Sequence, residues 1–337
     1  MDALSGVLKT IRLTGAAFFA SELRAPWSIV APSSRAIADA LLPDADHVVP
    51  YHLVTAGRCV VKLLDGPALD LAAGDVVVFP QGDHHMLGGT PQFGPLSMPV
   101  EDLTQLLHRG TITPTRGGGD GAVTEMVCGF FACDRRLSAP ILDGLPRVLR
   151  VSLRDDPSAR WLLSSVHFSV AETAQPRAGA ETVLARLSEL LFVETIRRYV
   201  RELPEGETGW LAGLRNPHVA KALASLHGRP EYPWTVEELA CKVGLSRTVL
   251  AERFMHYLGQ PPIQYLTQWR LSLAANRLRD GSASIGRVAE QVGYDSEASF
   301  TRAFKRAFGL PPATWRRRKA QLPAAAPKWR VAQRAAM

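Results

Sequence analysis

Short apolar runs bounded by turn residues make up the front half of the chain. Residues 59–64 form one such run, residues 76–79 form a β-branched one, and residues 123–133 form a longer one. Asp65 and Gly66 supply a turn signal after the first run. Runs of this kind predict β-strands. Several of them in succession are typical of an antiparallel barrel or sandwich, and we expect a barrel.

The apolar spacing changes to three and four residues further along the chain. Residues 158–173 and 181–201 fit two amphipathic helices, the second with apolar positions that include Val183 and Leu190. A helical hairpin beside a small β-domain either covers its core or forms a dimer seam. Pro and Gly within residues 203–216 indicate a linker.

A helix-turn-helix pattern follows the linker. Thr235 and Glu238 have the spacing of a capping box, and Gly244 suits the left-handed residue that follows a helix end. Ser246 suits the cap of a second helix. A helix, a short glycine-containing turn and a second helix are typical of the DNA-binding motif of that name.

The same pattern returns about fifty residues later. Ala240 and Gly244 correspond to Ala289 and Gly293 at an offset of 49, and the offset then becomes 50 because residues 294–295 include one extra residue. Both copies end in Gly-x-Pro-Pro. Two copies in register indicate DNA reading much more strongly than one copy does.

The segment between the two copies has the pattern of a single helix. Residues 263–279 span about 25 Å at 1.5 Å per residue. Neighbouring major-groove faces of DNA lie roughly 34 Å apart. A rigid connector of this length can hold two recognition helices in successive grooves on one side of the duplex.

The charge is divided unevenly along the chain. The formal net charge is +7, yet residues 215–319 hold 17 Lys and Arg against 8 Asp and Glu, a net +9. Residues 1–214 hold 19 against 24, a net −5. This division favours a polyanionic partner for the C-terminal half.

The bulk properties exclude several classes of protein. The 337 residues are 46% hydrophobic and 21% charged, a composition typical of about two folded domains. No apolar run approaches the ~18–20 residues of a membrane span, and the first residues lack the features of a signal peptide. We therefore expect a cytoplasmic protein without a membrane partner. Four scattered cysteines without paired CxxC spacing predict reduced thiols rather than a disulfide framework.

From about His218 to Arg318 the sequence resembles the AraC/XylS family of bacterial transcription regulators. A separate stretch, Gly74-x5-Pro80-x-Gly82-x2-His85, resembles the second motif of cupin domains. The first cupin motif is degenerate: His52 matches its second histidine, whereas Pro50 stands where the first is expected. The residues that carry the AraC/XylS resemblance most densely are Gly293, Tyr294, Ser299, Phe300, Arg302, Phe304, Lys305, Phe308, Gly309, Pro311 and Pro312.

The resemblance implies an α+β multidomain fold and a sequence-specific, DNA-binding transcription regulator. Residues 1–202 are then a cupin-like β-barrel with a helical hairpin that senses and dimerises, and residues 203–216 are the linker. Residues 217–319 are an all-α domain with two helix-turn-helix motifs, and residues 320–337 are expected to be disordered. The implied partners are double-stranded DNA, a second copy of the chain, RNA polymerase and a small-molecule effector.

Outward positions on the two recognition helices are the candidate DNA contacts. In each helix two apolar residues point inward, Leu250 and Phe254 in the first, Phe300 and Phe304 in the second, which leaves the remaining positions for the groove. Arg can pair with guanine, and Ser or Thr can serve several bases. Lys305 is expected to hold a phosphate. The candidates are Arg247, Thr248, Ala251, Glu252, Glu297, Ala298, Ser299, Thr301, Arg302 and Lys305.

Three functions are open for the cupin-like domain: effector binding, metal binding, and a purely dimerising scaffold. His52 and His85, with Cys128 on a later strand, are the candidate ligands for a divalent metal such as zinc, and His84 is a substitute. No nucleophile is paired with a base at a recognisable spacing, so we predict no catalytic residues and no enzyme activity.

Two other classes compete with a regulator for the whole protein. A cupin-type metalloenzyme fused to a DNA-binding module predicts turnover and stoichiometric metal. An architectural DNA protein predicts steep salt dependence with little sequence preference. The duplicated recognition helices favour the regulator, because non-specific binding does not need two aligned readers.

Overall fold

The computed structural model describes residues 2–10, 14–31, 33–41, 47–93, 96–98, 115–154, 156–157, 159–172 and 179–321. Its contacts divide the chain into two compact units. The sheet unit consists of residues 12–136 and 145–199, and the helical unit of residues 1–11, 137–144 and 200–324, within the described ranges. The predicted tail lies outside the described residues from position 322 onward.

The sheet unit contains two β-sheets. The strands are β1 Thr14–Arg24, β2 Ser28–Ala31, β3 His47–Ala56, β4 Arg58–Leu63, β5 Leu69–Ala72, β6 Asp75–Val78, β7 His85–Gly88, β8 Leu96–Met98, β9 Thr115–Gly118, β10 Val123–Cys133 and β11 Leu149–Ser152. One sheet has six strands in the order β11-β6-β3-β10-β1-β9, and the other has five in the order β5-β4-β7-β2-β8.

The described strands do not close into the barrel that we predicted. Each sheet ends in strands that pair on one side only within the described residues, and closure requires a partner on both sides. The outer pairs β1–β9 and β2–β8 are also parallel rather than antiparallel. An apolar core cluster lies between the sheets, with Leu23 and Val77 from one sheet and Val61 and Leu87 from the other. The arrangement is a sandwich.

Three helices accompany the sheets, and the last two lie close to the predicted positions. They are α2 Ser34–Leu41, α4 Arg160–Glu172 and α5 Ala180–Glu202. α5 buries Leu191 and Ile196, and its Ser188 hydroxyl lies 2.7 Å from the buried hydroxyl of Tyr51 on β3. Phe192 packs against Phe131 of β10 at 5.2 Å between ring centroids. The inner face of this helix therefore covers the six-stranded sheet.

The helical unit contains ten helices among the described residues. They are α1 Ala3–Thr10, α3 Arg135–Leu142, α6 Trp210–Gly213, α7 Pro217–Gly228, α8 Val236–Val243, α9 Arg247–Leu258, α10 Pro262–Asp280, α11 Ile285–Gln291, α12 Glu297–Phe308 and α13 Pro312–Gln321. None of the helices that the structure describes combines enough length and hydropathy to cross a membrane.

Two segments from the N-terminal part of the chain pack within the helical unit. α1 rests on α7, where Nδ1 of His227 lies 3.2 Å from the carbonyl oxygen of Ala3 and Gly6 faces the imidazole with no room for a side chain. Leu137 of α3 belongs to the same apolar cluster as Leu271 and Phe304. The boundary drawn from the sequence placed both segments in residues 1–202.

Candidate nucleic-acid interface

The first helix-turn-helix is built by the local signals seen in the sequence. The Thr235 hydroxyl accepts from the backbone N–H of Glu238 at 3.1 Å, and the Glu238 carboxylate accepts from the N–H of Thr235 at 3.1 Å, which completes the capping box. Gly244 ends α8 with φ of 75°, in the left-handed region. Ser246 then accepts from the N–H of Val249 and starts α9.

The second helix-turn-helix repeats this construction with a longer turn. Ser284 caps α11, and Ser296 caps α12 by accepting from the N–H of Ser299 at 3.2 Å. The turn contains Gly293 with φ of 88°, followed by Tyr294 and Asp295, whereas one residue separates Gly244 from Ser246 in the first copy. The two recognition helices, α9 and α12, have 12 residues each. The predicted double motif is confirmed.

The connecting helix α10 is slightly longer than predicted. Its 19 residues correspond to about 28 Å. Arg270, midway along it, donates from Nε to the carbonyl oxygen of Pro230 at 2.6 Å and from Nη2 to that of Tyr232 at 2.8 Å. Gly293 lies so close to Nη2 of Arg270 that an added Cβ would sit 2.8 Å from it. The Arg270 side chain thus bonds to the loop between α7 and α8 and lies against the turn of the second motif.

The predicted inward and outward faces of the recognition helices agree with their burial. Leu250, Phe254, Phe300 and Phe304 are fully buried. Among the candidate DNA contacts, Ala251, Ser299 and Thr301 are half-buried, and the others are exposed, namely Arg247, Thr248, Glu252, Glu297, Ala298, Arg302 and Lys305. DNA contact by these ten residues stays a prediction.

The two recognition arginines differ in their surroundings. Arg247 forms an ion pair with Glu237 at 2.8 Å, and both side chains are largely exposed, so the pair contributes about 0–1 kcal/mol. Arg302 has no ion-pair or hydrogen-bond partner among the described residues. The guanidinium of Arg302 is therefore unpaired in this part of the chain, whereas that of Arg247 is paired with a carboxylate.

A surface cleft beside α12 contains two arginines, Arg270 and Arg306, that are not among the predicted DNA contacts. It has a volume of about 410 Å³, and its lining residues are Thr267, Arg270, Tyr294, Ser299, Arg302, Ala303 and Arg306. Ser299, Arg302 and Arg306 follow one another at helical spacing, a pattern visible in the sequence. The contribution of Arg270 from α10 was not visible, because it depends on how two helices pack.

The candidate metal ligands meet only in part. Nε2 of His52 on β3 lies 2.7 Å from Nε2 of His85 on β7, so the two buried rings share a hydrogen bond. Phe79 stacks on His85 at 3.5 Å between centroids. Cys128 on β10 is the register neighbour of His52, and His84 is exposed.

Burial sets the protonation of these groups. It lowers the pKa of His85 to about 4 and that of His52 well below its usual value, the nearby His85 adding to the latter. It raises the pKa of the Cys128 thiol far above its usual range. In the described part of the chain no group of three or more His, Cys, Asp or Glu side chains is placed to hold a metal. The placement of His52, His85 and Cys128 therefore does not support the predicted metal site.

Comparisons with known proteins match two parts of the chain to two families. Residues 2–201 match the cupin family, and residues 239–318 match the helix-turn-helix domain family. A putative AraC-like transcription regulator from Streptomyces lividans is 35% identical over 81% of this chain and 88% of its own length. The HTH-type transcriptional regulator AlkR from Acinetobacter baylyi is 28% identical over 94% of this chain and 99% of its own.

A solved structure also resembles the C-terminal part of the chain. It is the DNA-binding domain of AdpA, the global transcriptional factor, in complex with a target DNA. The match has 28% identity and a TM-score of 0.31, and it covers 32% of this chain and 98% of that domain.

Proposed function

This chain belongs to the AraC-like transcription regulators, which act on DNA, and we propose that α9 and α12 read base edges in two successive major grooves. The observation that carries the proposal is the repeated motif itself, with two capped helices of equal length that both turn polar residues outward. The connecting helix, about 28 Å long, suits the roughly 34 Å between neighbouring groove faces once the two motifs extend beyond its ends.

We assign the larger share of sequence selection to α12. Arg302 carries a guanidinium without a carboxylate partner, and such a group can bind guanine O6 and N7 together. The exposed tip of α9 offers Thr248 beside an arginine already paired with Glu237. Glu252 and Ala251 on α9 supply no positive charge. The first motif then contributes mainly position, and the second contributes selection.

The test begins with a binding site selected from random duplex DNA by the full-length chain. Arg302→Ala should weaken binding to the selected site by ~1–3 kcal/mol and leave binding to a random duplex almost unchanged. Arg277→Ala, which removes an exposed arginine from α10, is the matched control. Equal losses on selected and random DNA would place Arg302 on the phosphate backbone instead.

We infer that the sheet unit senses a small-molecule effector and holds two copies of the chain together. A ligand regulates only when it binds one arrangement of the protein more tightly than another. The relatives are regulators, which supports a role for the sheet unit in control rather than catalysis. We propose RNA polymerase as a further partner and the cytoplasm as the location of this regulator.

The dimerising surface that we favour is the outer face of α4 and α5. Trp161 and Phe168 are 49% and 62% exposed, and Val183 and Leu190 are 49% and 41% exposed. Each pair is seven residues apart, so its members share one helix face. Exposed aromatic and aliphatic side chains grouped in this way are typical of protein–protein contacts.

A further inference from the structure

The residues that line the cleft between α10 and α12 favour the binding of an anion. Three guanidinium groups line it, from Arg270, Arg302 and Arg306, and its described lining includes no Asp or Glu. Asp295 and Glu231 lie near enough to Arg270 for their charges to favour its protonated form, but neither lines the cleft. Three like charges around one cleft repel each other, and a bound anion relieves that repulsion.

The cleft is also rich in hydrogen-bond donors that have no acceptor. Arginine side chains donate and never accept. Arg302 and Arg306 have no hydrogen-bond partner among the described residues, and the three bonds of Arg270 use Nε and Nη2, which leaves Nη1. The Tyr294 hydroxyl is buried without a hydrogen-bond partner in the same part of the chain.

The remaining polar groups of the cleft are already satisfied. The Thr267 hydroxyl donates to the carbonyl oxygen of Ile263 at 2.9 Å, and the Ser299 hydroxyl donates to that of Ser296 at 2.9 Å. The unused capacity is therefore concentrated on the three arginines and Tyr294. A tetrahedral oxyanion offers several acceptors to such a set, and arginine binds phosphate in a two-pronged geometry.

The position of the cleft indicates where the anion comes from. Arg302 lines the cleft and also lies on the outward face of α12. A DNA duplex bound to α12 therefore places its phosphate backbone next to the cleft. We propose that Arg306, Arg270 and Tyr294 form a phosphate-binding pocket that takes one backbone phosphate of the DNA next to the bases read by α12. This inference rests on the proposed function of α12.

The pocket fixes register and carries no sequence information of its own. Removal of one phosphate contact reduces the slope of log K against log salt concentration by about 0.9. The ratio of wild-type to variant affinity should therefore be roughly five- to tenfold larger at 0.1 M salt than at 1 M salt. The loss is the same on selected and random DNA, which separates Arg306 from a base-reading residue.

The experiment compares full-length wild type, Arg306→Gln, Tyr294→Phe and the control Arg277→Gln by fluorescence anisotropy on both DNAs over a range of salt. We expect Arg306→Gln to lower affinity equally on both and to reduce the slope by about 0.9. We expect Tyr294→Phe to weaken binding without lowering the midpoint of urea unfolding, since its hydroxyl has no bond to lose within the protein. Arg277→Gln should keep the wild-type slope.

The source of the phosphate is identified by neutralising the DNA phosphates one at a time as methylphosphonates. One substitution should weaken wild type and leave Arg306→Gln unaffected, because the same contact is removed from either side.

If instead inorganic phosphate raises the thermal midpoint of DNA-free wild type but not of Arg306→Gln, the pocket takes free phosphate. If Arg306→Gln changes neither slope, affinity nor the response to inorganic phosphate, the pocket proposal is wrong. If the chain selects no DNA site, the proposal that α12 reads bases is wrong. The pocket proposal is still tested in that case, because the salt dependence of binding to random DNA does not require a selected site.

Discussion

The hydroxyl of Tyr265 lies 2.8 Å from Nε2 of His227 in the buried interior of the helical unit. The same hydroxyl accepts from Nε1 of Trp210 at 2.8 Å. Because the carbonyl oxygen of Ala3 can only accept, Nδ1 of His227 carries a proton and donates to it. A neutral His227 in this chain of bonds is therefore the Nδ1-protonated tautomer, whose Nε2 accepts the proton of the Tyr265 hydroxyl.

Acid should therefore destabilise the helical unit. Burial lowers the pKa of His227 to about 4, below the ordinary value of 6.5, so between these values the unfolded state binds more protons than the folded state. The contribution of neutral His227 to the free energy of unfolding is fully present above pH 6.5. It falls as the pH drops towards 4, by on the order of 3 kcal/mol at most. Urea unfolding of wild type and His227→Phe across this range measures the effect. A constant difference between the two proteins at all pH values would contradict it.

The two glycines of the duplicated turns should tolerate alanine unequally. Both have left-handed backbones, which cost alanine about 1–2 kcal/mol. An added Cβ at Gly293 also meets the carbonyl oxygen of Glu231 at 2.7 Å, whereas at Gly244 it meets nothing within 4 Å. We expect Gly293→Ala to lower the free energy of unfolding by at least ~1 kcal/mol more than Gly244→Ala. Equal costs in urea unfolding would show that the turn shifts freely.

A charge on the exposed face of α4 should weaken the dimer. Phe168→Glu places a carboxylate where the proposed seam excludes water, and the dissociation constant should rise at least tenfold, since about 1.4 kcal/mol corresponds to that factor. Light scattering after size-exclusion chromatography measures it. His167→Glu adds the same charge at the neighbouring exposed position and should leave the dimer intact. A monomeric wild type, or a Phe168→Glu dimer of unchanged strength, would remove this surface from the proposal.

The purified chain should not retain stoichiometric zinc. His52 and His85 form a hydrogen-bonded pair, and in the described part of the chain no third His, Cys, Asp or Glu is grouped with them to hold a metal, whereas a zinc site needs at least three protein ligands. Elemental analysis of wild type beside His85→Ala measures the metal content. One zinc per chain in wild type that is lost in His85→Ala would establish a metal centre here.

The helix-turn-helix repeat could be predicted from the sequence because its signals are local. Thr235 with Glu238, Gly244 and Ser246 each act within four residues, so their spacing alone specifies caps and turns. The open sheets could not be predicted in the same way. Which strand lies at an edge depends on pairing between distant segments, as in the parallel β1–β9 pair, and alternation along one strand does not encode its neighbours.

The cluster around Arg270 could not be predicted either, because its members are far apart in the sequence. Its guanidinium meets Pro230 and Tyr232, about forty residues earlier in the chain, and Gly293, more than twenty residues later. The charge count placed a positive field in this half of the protein. Only the packing of α10 against α12 shows that three of the charges share one cleft.

The packing of α1 on α7 also affects the order in which the protein is completed during synthesis. Ala3 leaves the ribosome more than two hundred residues ahead of His227, its hydrogen-bond partner. At about 5–20 residues per second, the interval is roughly 10–45 s. During this interval α1 cannot yet pack on α7. The helical unit therefore cannot assemble fully until the sheet unit, whose residues come between α1 and α7 in the sequence, has been synthesised. A regulator folded in this order acquires its complete DNA-binding unit last.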